Sequence, residues 1–129
     1  MKKPTSFYVT AELAYLMEFI IKKEKCTRTG FMNEAIQFFL DGDHKVDERI
    51  LITKKSDPRY IPRRFLQTIH IEEETHERLE EIARDIQAEI EESGRTDMKC
   101  NVSQLMFWSL ILYCSDKSKE HSEDIKIEK

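Results

Sequence analysis

One short pattern occurs twice along this chain, and each copy is too small to fold alone. In the first copy Phe7-Tyr8-Val9 is a β-prone run, and Thr10 follows it as an N-cap. Leu13, Leu16, Met17, Ile20 and Ile21 then recur at three- and four-residue spacing, which predicts a helix ending near Lys25. Cys26-Thr27-Arg28-Thr29 breaks it, and a second helix carries Phe31, Met32, Ala35, Ile36, Phe39 and Leu40 on one face as far as Gly42. In the second copy Leu66 to Ile71 alternates as a strand, with Gln67, Ile69 and Ile71 on one side. Leu79, Ile82, Ala83, Ile86 and Ile90 follow at helical spacing. Gly94 ends that helix, and Asn101 caps a last one running through about Cys114. Val9 corresponds to Ile71, Leu13 to Thr75, Met17 to Leu79 and Ile20 to Ile82. The second copy holds twelve more residues before its last helix, 30 from Ile71 to Asn101 against 18 from Val9 to Thr27.

A strand and two helices in about 35–50 residues bury too little apolar surface to be stable. A lone strand also leaves its backbone donors and acceptors unpaired. Both defects disappear if the two strands pair antiparallel and the helices interlock. The expected fold is therefore mainly α with a short two-stranded antiparallel ribbon, a single-chain pseudo-dimer of units 1–42 and 64–115. Residues 43–63 read as a linker with a small apolar centre, Ile50-Leu51-Ile52, and turns at Asp57-Pro58 and Ile61-Pro62. Residues 116–129 read as a charged tail.

Three segments carry a family likeness. Val9-Thr10-Ala11-Glu12-Leu13 looks like a strand-to-helix junction, and Thr27-Arg28-Thr29-Gly30-Phe31-Met32-Asn33-Glu34-Ala35-Ile36 like the start of a second helix. Asn101-Val102-Ser103-Gln104-Leu105-Met106 is similar in the second copy. In this order the residues resemble the ribbon-helix-helix (Arc/MetJ-type) superfamily, in the tandem form of TraY-type conjugative DNA-processing proteins. The resemblance implies sequence-specific binding of double-stranded DNA with the ribbon in the major groove, which is wide enough for two antiparallel strands. The role implied is a transcriptional regulator or a plasmid or conjugative accessory protein. The side chains implied to read bases are the outward ones, Ser6 and Tyr8 on one strand, Thr68 and His70 on the other, with Leu66 beyond them. An ordinary solvent-facing strand would show the same residue mix, so it is the repeat that favours the groove reading.

The N-terminus of each second helix is expected to hold a phosphate, because free N–H groups and the helix dipole point there. Thr27, Arg28 and Thr29 stand at the first and Asn101 and Ser103 at the second, where they would also serve as caps. Lys2, Lys3, Arg63 and Arg64 sit at the strand starts as further phosphate contacts or as a solvated cluster. The net charge of −4 opposes a DNA partner, but its distribution is uneven. Residues 1–40 carry six Lys/Arg against four Glu, and residues 45–64 carry seven against three acids. Residues 72–97 hold eleven acids against three Arg. Two further departures from the family pattern are the absence of Arg or Lys at the ribbon centre and Lys25 in place of a turn glycine.

The last helix is apolar nearly all round: Phe107, Trp108, Ile111 and Leu112 stand where the first unit has Asn33, Glu34, Gln37 and Phe38. It needs cover on both sides. The linker's Ile50–Ile52, the long helix before Gly94, or self-association or another protein partner would each supply it.

Nothing suggests an enzyme. His44, His70, His76 and His121 are scattered, and no Gly-rich phosphate loop occurs. Cys26, Cys100 and Cys114 form no C-x-x-C pair, so no metal or cofactor is expected and the thiols read as structural. No apolar run reaches the ~18 residues of a membrane span, and the start Met1-Lys2-Lys3-Pro4 leads into polar residues, so a cytoplasmic location is expected. The alternative function is a protein-interaction module, antitoxin-like or a scaffold.

Overall fold

Lys2–Val9 form β1 and Phe65–Glu72 form β2, and the two pair antiparallel into one two-stranded sheet. Phe7 lies opposite Gln67 and Thr5 opposite Ile69, so the expected pairing of residues 5–9 with 66–71 is present and extends further at both ends. The structure, a computed structural model, describes residues 2–121. Within them the chain is mainly helical, with α1 at Ala11–Glu24, α2 at Arg28–Asp41, α3 at Glu48–Leu51, α4 at Glu73–Glu92 and α5 at Val102–Glu120.

Local chemistry sets the helix ends. The Thr10 hydroxyl accepts from Leu13 N at 3.1 Å and the Thr27 hydroxyl from Gly30 N at 3.0 Å, each satisfying a donor that the first turn cannot. Asn101 and Gln104 form a reciprocal capping box at the start of α5. Lys25 closes α1 in the left-handed region, at φ 54, and Gly94 follows α4 at φ 76. Only the second of these has the residue type suited to that conformation.

Strand alternation builds the core. Phe7, Val9, Ile69 and Ile71 face inward and share one core with Leu13, Met17 and Ile20 of α1, Phe31, Ala35 and Phe39 of α2, and Leu79 and Ala83 of α4. α5 runs through the middle, packed against β1, α1, α2, α3 and α4. Its only fully buried hydroxyl among the described residues, Ser109, donates back to Leu105 O at 2.7 Å, so burying it leaves no polar group unpaired.

Residues 43–63 do more than connect the two halves. Asp47 caps the short α3, and Ile50, Leu51 and Ile52 are buried. Ile52 then bridges antiparallel to Met98 in the connection between α4 and α5. Lys99 N donates to Leu51 O at 2.9 Å and Thr53 N to Asp97 O at 3.0 Å, which ties linker and connection together. The twelve extra residues of the second half are thereby accounted for. They lengthen α4 to 20 residues against 14 for α1, and they supply the 93–101 connection that grips the linker.

α5 also outruns its expected end near Cys114, and the tail expected from 116 onward begins as helix. Glu24 at the end of α1 explains the extension. It pairs with Lys117 Nζ at 3.3 Å and with His121 Nε2 at 3.1 Å, holding the last turn in place. Residues 122–129 of that tail lie outside the described residues. No helix among the described residues is long and apolar enough to cross a membrane.

Candidate nucleic-acid interface

The outward face of the ribbon gathers the base-reading candidates. Pro4, Ser6 and Tyr8 alternate outward on β1, and Leu66, Thr68 and His70 do so on β2. The register sets Ser6 opposite Thr68, Tyr8 opposite Leu66, and Pro4 opposite His70. At the centre the Ser6 and Thr68 hydroxyls are 2.9 Å apart and hydrogen-bonded to each other. Toward one end Tyr8 and Leu66 are 52% and 55% exposed, a cross-strand apolar pair with Phe65 next to it at 49%. Toward the other end lie an imidazole and a proline ring. The two ends of the face thus differ in chemistry.

The expected phosphate-binding residues divide into three groups. Lys2, Lys3 and Arg64 are exposed at the ribbon's ends, with Lys2 standing opposite Glu72 and Arg64 N donating to Val9 O at 3.1 Å. Thr27, Thr29, Asn101 and Ser103 are exposed at the two helix starts. Thr27 and Asn101 cap their own helices, and Ser103 Oγ donates to Ser6 O at 3.3 Å, tying the start of α5 to β1.

Arg28 and Arg63 form the third group, and each is occupied within the chain. Arg28 Nη1 donates to the buried Gln67 Oε1 at 2.7 Å, and its other nitrogen pairs with Glu18. It satisfies a polar group on the inner face of the ribbon, which sequence alone does not reveal because Gln67 lies in the other half. Arg63 is half-buried, its guanidinium 4.9 Å from the Phe107 ring centre and 5.8 Å from that of Tyr60. It also donates to the carbonyls of Ile61 at 3.2 Å and Ile50 at 3.4 Å. Burial lowers its affinity for its proton. Arg63 therefore clamps the linker onto α5 and does not face outward with Arg64.

The candidate partner residues on α5 are covered to different extents within the chain. Phe107 is 1% exposed beneath Arg63, and Trp108 donates its indole N–H to Lys45 O at 2.8 Å. Ile111 and Leu112 are partly buried against the core. The linker thus covers Phe107 and engages Trp108, while Trp108, Ile111 and Leu112 stay partly exposed. On the opposite side Tyr113 stacks at 5.0 Å on Phe31, and its hydroxyl donates to Glu34 at 2.6 Å. Burial and that bond push the Tyr113 hydroxyl well above the usual phenol range.

Among the described residues one trio, Glu24, Glu120 and His121, comes close enough to hold a metal ion. Lys117 already occupies it with its ammonium, 3.3 Å from Glu24 and 3.7 Å from Glu120. Burial pushes the Cys100 and Cys114 thiols up to about 12, which suits thiols that serve packing alone. His76 bonds Glu80 at 2.8 Å, one turn along α4. No protein-family model, no curated protein and no solved structure matches this chain.

Proposed function

We propose that the chain is a tandem ribbon-helix-helix protein that binds double-stranded DNA through its ribbon. The carrying observation is the register. The correspondence of Val9 with Ile71 makes Thr68 the counterpart of Ser6, and these two residues pair directly, hydroxyl to hydroxyl. A two-fold relation between the halves needs its axis at such a self-paired position. Exchange of contacts supports the same reading. Arg28 of the first half reaches Gln67 of the second, and Ser103 of the second reaches Ser6 of the first.

The ribbon then offers six outward side chains to a groove of matching width, with exposed Lys2, Lys3 and Arg64 near the phosphates on either side. Unlike a homodimer, which selects a palindrome, this ribbon presents Tyr8 where its counterpart strand presents His70. The favoured site is therefore non-palindromic. Regulation of transcription and accessory work in plasmid or conjugative DNA processing both use such a site.

The test is fluorescence anisotropy with a pool of random duplexes at low salt. Affinity should fall linearly on a log–log salt plot. Lys3→Ala and Arg64→Ala should each weaken all sequences alike and flatten the slope by about one unit. Absence of salt-dependent binding at about 50 mM salt would overturn the proposal and leave a protein-interaction module as the better reading.

A further inference from the structure

Resting on the DNA-binding reading, we infer that this ribbon reads the 5-methyl groups of pyrimidines, and on one side of its centre only. None of the outward residues Pro4, Ser6, Tyr8, Leu66, Thr68 and His70 is an Arg, Lys, Asn or Gln. Between the ribbon's ends the bidentate hydrogen bonds that single out guanine or adenine in the major groove are thus unavailable, and Lys2 joins this face only at its last pair, opposite Glu72. The central hydroxyls of Ser6 and Thr68 are partly spent on each other. What the face does offer is apolar area, and it is concentrated. Tyr8 and Leu66 are directly paired and both more than half exposed.

The major-groove edge of a base pair carries one apolar feature, the methyl at C5 of thymine, which 5-methylcytosine shares. Tyr8 and Leu66 lie two residues from the ribbon centre, about 7 Å at the usual rise of a strand. That distance corresponds to about two base pairs. The exposed Arg64, next to Phe65 and Leu66, supplies a cation where a phosphate would flank the same patch. At the other end His70 faces Pro4, and the imidazole offers hydrogen bonds there. One half-site is therefore selected for methyl groups and the other for hydrogen-bonding edges.

The experiment starts from the best duplex recovered by selection with the full chain. Each thymine is replaced singly by uracil, which removes the methyl and leaves the pairing edge unchanged. Binding should weaken about fourfold at positions in one half-site, the worth of burying one methyl, and less than about twofold in the other. Leu66→Ala should abolish the difference, and because Leu66 is exposed the variant keeps its fold. In a second arm the sensitive T·A pair becomes C·G, with the cytosine unmethylated or 5-methylated. Recovery on methylation shows that the methyl itself is recognised. Failure of methylation to restore binding shows that the T·A hydrogen-bonding edge is recognised and overturns the inference. Tight binding with no response to uracil anywhere also overturns it while leaving DNA binding intact. No binding to any duplex overturns both.

Discussion

The connection between α1 and α2 spans residues 25–27, whereas that between α4 and α5 spans residues 93–101, and this difference governs how the two second helices are covered. The longer connection pairs with the linker through Ile52 and Met98, and together they close over α5. Among the described residues α2 has no such lid, and Phe38 on its outer side remains 41% exposed. The same strand–helix–helix order thus yields one central helix and one peripheral helix. An insertion in one half and a linker between the halves cooperate to make the difference.

The comparison breaks most readily at the aromatic residues. Phe107→Ala removes a ring buried under the linker and should cost about 3–5 kcal/mol, whereas Phe38→Ala should cost under about 1 kcal/mol. Urea denaturation of both variants measures this, and equal losses would mean that the linker does not seal α5. A smaller effect distinguishes the two helix ends. Lys25→Gly should stabilise by about 0.5–1 kcal/mol, because glycine relieves the left-handed strain at the cost of a more flexible unfolded chain. Gly94→Ala should destabilise by about 1 kcal/mol even though nothing crowds its Cβ, because φ +76 itself is unfavourable for alanine.

The smallest effect concerns the ion pairs beside the lid. Asp97 is held at about 2, well below the usual carboxylate range, chiefly by its hydrogen bond with Arg95 and also by Arg59. A depressed carboxyl stabilises the fold above its unfolded value near 3.8, and that contribution is lost as pH falls through about 2. Asp97→Asn should therefore be less stable than the parent at pH 5, and the two should converge toward pH 2. Denaturant midpoints across that range measure the gap, which is modest because the group stays partly exposed to solvent. A gap that stays constant with pH would remove Asp97 from the bracing.

Most helices and both strands were legible because their signals are local. Apolar spacing marks the buried faces, and Thr10, Thr27 and Asn101 announce their helices through side-chain oxygens one turn from a free N–H. The outward face of the ribbon was legible for a related reason, since alternation assigns Ser6, Tyr8, Thr68 and His70 once Phe7 and Ile69 are inside. What escaped is non-local. Lys2 and Lys3 carry no strand signal, and they join β1 only because Glu72 and Ile71 lie opposite. The Ile52–Met98 bridge leaves no pattern in either segment. Arg28 and Arg63 read as open cations because their partners, Gln67 and Phe107, are 39 and 44 positions away, although Arg28 does stay exposed.

The two paired strands belong to one chain, and this changes what substitutions are able to do. When identical subunits supply a ribbon, every change appears twice, and each strand has to remain compatible with a copy of itself. Here a change at Tyr8 leaves position 70 untouched, because Tyr8 faces Leu66 and His70 faces Pro4. Each strand meets its mate at the effective concentration set by the intervening chain and not by the number of molecules in solution. Dilution therefore does not dissolve the ribbon, as it would for strands on separate subunits. The halves are free to diverge, position by position, with pairing held constant by the peptide between them.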